Sequence, residues 1–330
     1  MVFDLDQRLF SSYQVKGLQL KNRIVMAPML QNSVTAKDGK PGEWHYVHYL
    51  SRAIGGTGLI IMEMTDVEPD GRTSNYDLGL WSDEHIPAFA KIIEGVHSHG
   101  AKIGIQIAHA GRKAEDAEVP VAPSAIAFPG SRYRMPRAMT ADEIERTVQL
   151  FGDAARRAVQ AGVDTIELHG AHGYLIHQFH SLLTNKRDDE YGKDLTRFGV
   201  QVIKAVKKAM PADMPLFFRI SAVEYADGGY DIDHAIRLCE AYRDAGVDVF
   251  HVSSGGEGQP GQRKPGNYPG YQVPFARSIK EALNVPVVAV GMLEDPMLAD
   301  AVIGNGDADL VAIAAACYET RTGRRMRRSL

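Results

Sequence analysis

Short runs of apolar, often β-branched residues recur along the whole chain. They stand at 23–29 (RIVMAPM), 58–64 (GLIIMEM), 101–107 (AKIGIQI), 163–169 (VDTIELH), 214–220 (MPLFFRI), 247–253 (VDVFHVS), 285–291 (VPVVAVG) and 308–314 (ADLVAIA). Each is nearly continuous in hydrophobicity, as parallel strands buried on both faces are. Between them the apolar positions take up the helical period. Over 82–100, Ile86, Phe89, Ile92, Ile93 and Val96 share one face, and at the start of 140–162 Thr140 and Glu143 stand at capping-box spacing. Shorter helical patterns fall at 46–54, 196–209, 232–245, 274–283 and 296–303. Strand then helix, repeated eight times, predicts an α/β chain folded as a (β/α)8 TIM barrel. Two Rossmann-like domains are the alternative, and no G-x-G-x-x-G lies between a strand and a helix to support them. No linker or charge block divides the chain, so 1–330 is expected to be one domain.

Two stretches depart from the ideal pattern. Residues 111–137 are an insertion after the third strand, with Tyr133 and several prolines, placed to cover the barrel mouth. Residues 315–330 are thin in apolar side chains and crowded with Arg321, Arg324, Arg325, Arg327 and Arg328. They lack the apolar face of an eighth helix, which is expected to be missing or replaced by this atypical basic tail.

Composition narrows the function. The chain has 330 residues, 45% hydrophobic and 24% charged, with a net charge of −4. That balance argues against nucleic acid as partner, since phosphate binding needs a basic face. Cys239 and Cys317 are its two cysteines, too few for a disulfide framework, which points to a reducing, cytoplasmic setting. No apolar run approaches the length of a membrane span.

A barrel of this kind builds its active site at the C-terminal ends of its strands. Those ends carry Ala27, Pro28, Met29 and Leu30, then Gln106, His169 with His172 and Tyr174 beyond it, Arg219, Ser253 and Ser254, and Gly291. The His169–His172 pair reads three ways. A zinc site would want a third ligand, and none is evident. A satisfied strand-end histidine beside a solvated one is the plain reading. The third is two imidazoles donating to one substrate oxygen, with Tyr174 able to supply a proton. Arg219, alone in an apolar strand, either pairs with a neighbouring carboxylate or faces an anionic ligand. Gln106 can bond the edge of a heterocycle or bridge barrel layers. A lyase or aldolase would want a Schiff-base lysine or metal carboxylates at strand ends, and neither is found there. A cofactor-free barrel that serves as a binding or scaffold protein, or is a defective product, is the remaining alternative.

Seven segments together resemble the old yellow enzyme family, in its bacterial NADPH dehydrogenase subclass. They are 20–29 (LKNRIVMAPM), 81–86 (WSDEHI), 104–113 (GIQIAHAGRK), 122–128 (APSAIAF), 169–177 (HGAHGYLIH), 269–273 (PGYQV) and 290–292 (VGM). The resemblance implies an FMN-dependent ene reductase: NADPH or NADH reduces the flavin, which then reduces the C=C bond of an α,β-unsaturated carbonyl compound. It implies that Ala27, Pro28, Met29 and Leu30 lie along the flavin, with Met64 beside it. Gln106 would meet the pyrimidine edge, Arg219 the N1 and O2 region, and Ser254 and Gly291 the rest of the cofactor site. His169 and His172 would hold the substrate carbonyl, Asn32 would lie near the substrate, and Tyr174 would donate the proton. No metal is implied, and members often pair into homo-oligomers.

The chain also departs from the family pattern. Leu30 replaces a cysteine or threonine, Asn32 a tyrosine, and Met64 a small residue. After strand eight, Ala314 and Ala315 stand where the family has a glycine and a phosphate-gripping arginine. One permitted codon set for 314–323 (AAACYETRTG), read from its third base, spells RGMLRNPYW, which resembles the family at this point. The tail is therefore expected to reflect a shifted reading frame. Sequencing the gene checks this: nucleotides that do not encode that arginine-to-tryptophan run in the other frame refute it.

Overall fold

Eight parallel strands close into a ring. They are β1 (Ile24–Met26), β2 (Leu59–Asp66), β3 (Lys102–Ala108), β4 (Thr165–Gly170), β5 (Leu216–Ser221), β6 (Val249–Ser253), β7 (Val287–Val290) and β8 (Leu310–Ile313). Each pairs with its neighbours in chain order, and β8 pairs back onto β1. This is the expected TIM barrel. The computed structural model describes residues 8–257 and 266–314. The expectations placed on Ala315, Cys317 and the tail at 315–330, the missing eighth helix and the shifted frame included, lie outside the described residues.

Between the strands run the helices Glu43–Ile54, Ile86–His97, Ala141–Ala161, Arg197–Ala209, Ile232–Ala245, Val273–Leu283 and Pro296–Gly304. The capping box is real: the Glu143 N–H donates to Thr140 Oγ1 at 3.2 Å, and the Thr140 N–H to Glu143 Oε2 at 2.8 Å. Phe89, Ile92, Ile93 and Val96 are buried as their spacing requires.

Side chains alternate across each strand. Leu168, Phe218 and Phe250 point outward into the shell packed by the helices. Phe217, Val249, Ile61, Val288 and Leu310 point into the ring and form a separate dry core. Leu18 and Leu20 belong to that inner core. They come from an antiparallel hairpin, Tyr13–Val15 with Leu18–Leu20, which precedes β1 and was not evident in the sequence. Within the insertion at 111–137, Val121–Ala122 pairs with Arg137–Ala138 in a small parallel sheet.

Candidate active site

Above the apolar inner core lies a polar layer. Gln106 on β3 stands in register with Glu167 on β4, and Arg219 on β5 stands in register with both His169 and His251. Two residues along a strand return to the same face, so Glu167 and His169 both point inward. Gln106 Nε2 donates to Glu167 Oε1 at 2.8 Å, and His251 Nδ1 bonds Glu167 Oε2 at 2.8 Å. A fully buried carboxylate is thereby given a donor on each oxygen, as a water-free interior demands. Arg219 is 8% exposed and makes no hydrogen bond or ion pair among the described residues. Its Nε is buried without a partner, and so is His251 Nε2. Burial lowers the Arg219 pKa, opposed by the nearby Glu167 charge; an arginine keeps its charge regardless. The layer thus holds a cation and an acceptor with unused bonding capacity.

At the mouth, the Ala171 N–H donates to His169 Nδ1 at 3.2 Å. The imidazole proton therefore sits on Nε2, where it can be given to a ligand. His172 Nε2 lies 2.7 Å from Ser253 Oγ, and Ser253 donates onward to Gln272 Oε1 at 3.3 Å. Ser253 is then the acceptor and His172 the donor. Burial, followed by the Arg219 charge, holds both histidines well below the usual imidazole range. Both are neutral at pH 7. The His169 ring meets His172 edge-on at 5.2 Å and Tyr174 edge-on at 4.7 Å between centroids. Burial pushes the Tyr174 hydroxyl pKa up, so it stays protonated. The structure brings these three expected residues together. It adds a restraint that sequence reasoning missed, since the His172 ring Nε2–H already has Ser253 to bond.

The turn that carries them is strained. His172 has φ +57° and Gly173 φ +74°. A left-handed conformation costs a non-glycine residue about 1 kcal/mol. Side chains from three other segments hold the backbone there. The His172 N–H donates to Ser221 Oγ at 3.0 Å, and Lys113 Nζ donates to the carbonyls of His172 at 2.7 Å and Gly256 at 2.9 Å. Gln178 Nε2 donates to the Gly173 carbonyl at 2.8 Å. Lys113 also lies 4.2 Å above the Phe128 ring, and burial brings its pKa down to about 8. Arg112 and Glu257 pair beside it.

On the β1 side the wall is apolar. The Ala27 N–H donates to the Ile313 carbonyl at 3.0 Å, and Pro28, Met29 and Leu30 emerge half-buried. Leu30, Met64 and Tyr174 pack into one cluster with Ala108, Ala110, Ala114 and Ala117. The Gln31 N–H donates to Glu63 Oε2 at 2.8 Å and the Tyr49 hydroxyl to Glu63 Oε1 at 2.8 Å, which pins the segment from below. Asn32 is exposed, has φ +49°, and accepts from the Ser74 hydroxyl at 3.3 Å. On the far side Ser254 donates to Gln272 Oε1 at 2.6 Å, while Gln272 Nε2 donates to the Val290 carbonyl at 2.9 Å. Next comes Gly291 at φ +126°, where a Cβ would lie 2.9 Å from Gln272 Nε2 and 3.0 Å from the Tyr271 ring. The backbone there must stay bare. Ala314 follows β8 and packs on the inner core. No group of three or more His, Cys, Asp or Glu among the described residues could hold a metal ion.

Residues 8–318 match the model of the NADH:flavin oxidoreductase / NADH oxidase family. The chain belongs to this family. It is 46% identical over 314 residues to an NADPH dehydrogenase of Geobacillus sp. (strain WCH70), covering 94% of this chain and 90% of that one. It is 28% identical to the solved morphinone reductase, with TM-score 0.80 over 96% of this chain and 89% of that one. An old yellow enzyme homologue from Zymomonas mobilis aligns at 29% identity and TM-score 0.79, over 93% and 88%. The family member described here is thus an FMN-dependent oxidoreductase of the old yellow enzyme type with a nicotinamide reductant. Its residues fit the cofactor. The partnerless donor of Arg219 and acceptor of His251 suit a polar ring edge, and the bare backbone at Gly291 suits close approach. Gln272, Ser253, Ser221 and Lys113 are the residues that sequence reasoning left without a role, although Gln272 and Lys113 lay inside the quoted motifs.

Arg219→Met should weaken FMN retention by about 10- to 100-fold, the worth of one charged hydrogen bond. Flavin fluorescence released on dilution measures it, and unchanged retention would remove Arg219 from the cofactor site. Glu63 yields a second expectation. Burial raises its carboxyl from 4.5 to about 8, against the bonds from Gln31 and Tyr49. The unfolded chain ionises this group near 4.5, so the stability tied to it is complete below that pH and is lost as pH rises to 8. Between pH 5 and 8.5 the wild type should lose up to about 4 kcal/mol that Glu63→Gln does not lose. Denaturant titrations across that range test it; parallel curves would contradict it.

Proposed function

We propose that the protein reduces the C=C bond of α,β-unsaturated carbonyl compounds, using NADPH as reductant. The observation that supports this most directly is the edge-on stack of His169 and Tyr174 at 4.7 Å, which sets a neutral N–H donor and a phenol in one wall. FMN, when bound, supplies the hydride that reaches the β-carbon. Negative charge then grows on the carbonyl oxygen. His169 Nε2–H donates to that oxygen from a neutral ring, so no buried charge has to be created beforehand. The His172 Nε2–H joins it when the substrate oxygen displaces Ser253 as acceptor. The Tyr174 hydroxyl gives its proton to the α-carbon. Arg219 and Gln106 hold the cofactor ring, and Ala27, Pro28, Met29, Leu30 and Met64 line it. Ser254 and Gly291 frame its far end, and Asn32 lies at the substrate entrance. The apolar surface of Leu30, Met64 and the neighbouring alanines favours a substrate with a hydrocarbon body.

Tyr174→Phe should slow reoxidation of the reduced holoenzyme by 2-cyclohexenone about 100-fold or more, the scale of a lost general acid. Flavin reduction by NADPH needs no such proton and should keep its rate. Stopped-flow absorbance of the flavin separates the two steps. A reduced wild-type protein that no enone reoxidises would overturn the reading.

A further inference from the structure

The turn 172–174 leads directly into the short helix Leu175–His180, whose N-cap is Tyr174. His177 is therefore the third residue of the helix. In a capping box a Glu or Gln at that position reaches back to a free backbone amide. Here an imidazole does so: the Gly173 N–H donates to His177 Nδ1 at 3.1 Å. An acceptor at Nδ1 requires the ring proton on Nε2, and Nε2 lies 3.0 Å from Glu224 Oε1. Glu224 comes from the loop after β5. Its other oxygen accepts from the Tyr230 N–H at 2.8 Å. His177 and Glu224 side chains are both fully buried. Burial alone would raise the Glu224 pKa, but the hydrogen bonds from His177, Ser181 and Tyr230 outweigh it and hold the carboxylate ionised.

The tautomer carries the consequence. Were His177 to take its proton on Nδ1, two N–H groups would face each other and the Gly173 amide would be pushed away. Glu224 fixes the proton on Nε2 and so keeps Nδ1 open, as a carboxylate behind a metal-bound or catalytic histidine does. With Ser221, Lys113 and Gln178, His177 completes the set of side chains that bond every backbone N–H and C=O of His172 and Gly173. The Gly173 N–H bond fixes the residue immediately before Tyr174, and Tyr174 has to keep its edge-on contact with His169.

We propose that the buried His177–Glu224 pair is a positioning device: it locks the left-handed His172–Gly173 turn and thereby aims Tyr174 at the substrate. The pair touches neither substrate nor cofactor and acts through the Gly173 amide. This rests on the enone reading for its kinetic consequence, though not for its structural one.

The test uses the holoenzyme and two readouts. His177→Ala removes the acceptor; His177→Asn restores one, because its side-chain oxygen sits near the place of Nδ1. In His177→Ala, reoxidation by 2-cyclohexenone should slow by about 10- to 100-fold, the loss expected from a displaced catalytic group. NADPH reduction of the flavin should hold its rate, and His177→Asn should recover most of the lost speed. Hydrogen–deuterium exchange of a peptide covering 170–176 should rise in His177→Ala and return toward wild type in His177→Asn. Should His177→Ala fail to fold, His177→Leu combined with Glu224→Gln avoids an unpaired buried carboxylate and carries the same expectation. A folded variant lacking the acceptor with unchanged exchange and wild-type reoxidation would overturn the proposal, and so would equal slowing of both half-reactions. If no enone reoxidises the wild type, the enone reading falls, and the exchange readout still decides whether His177 holds the turn.

Discussion

A closed ring of parallel strands turns every second side chain into a space without water, and any polar group placed there must find a partner inside the ring. Glu167 meets that demand through Gln106 and His251, each at 2.8 Å. Arg219 does not, because no partner for it exists among the described residues. The barrel thus keeps one cation poised in a low-dielectric layer, held by the strength of β5 and its neighbours. The free energy for this comes from the apolar floor beneath, where Phe217, Val249 and the hairpin leucines Leu18 and Leu20 pack together. A ligand that completes the layer regains what the empty bonding capacity costs, so binding and folding reinforce each other here.

The edge of the site formed by His172–Tyr174 obeys the opposite logic. Its residues lie on a turn with two successive left-handed positions, not on a strand. Such a turn has no ladder to hold it, so side chains from β5, from the segment after β3 and from the following helix do the holding. The strain is local and modest, and the bonds that offset it come from elements already fixed by the core. A small reach of chain can then be rigid enough to hold the Tyr174 side chain in place while remaining outside the sheet.

The sequence made the strands and most helices legible, since eight continuous apolar runs alternating with 3.6-period stretches admit few other folds. The hairpin at 13–20 was not legible because three-residue strands carry too short a pattern to separate from loop. The same holds for Leu175–His180, which is shorter than two helical turns. In the site, His169, His172 and Tyr174 were visible because they are neighbours in the chain. Gln272, Ser221 and Glu224 were not, because each meets its partner from another strand or loop, and only closure of the barrel brings them together. Arg219 was visible as a charge in an apolar strand, while its lack of a partner is a property of the folded ring alone.

Leu30 and Met64 show how one wall can diverge while the rest keeps its form. Both sit on the β1–β2 side and pack with Tyr174 against four alanines. A methionine is long and flexible, and the small alanine side chains leave room for it without displacing the strands. Leu30 offers no hydrogen bond, and the polar groups of Arg219, Gln106 and His251 lie on the opposite side. The site is therefore polarised: charge and hydrogen bonds on β3 to β6, hydrocarbon on β1 and β2. Changes on the hydrocarbon side would alter apolar packing alone. Changes on the charged side would disturb the layer on which Glu167 depends, since Gln106 and His251 are the donors that satisfy its two oxygens.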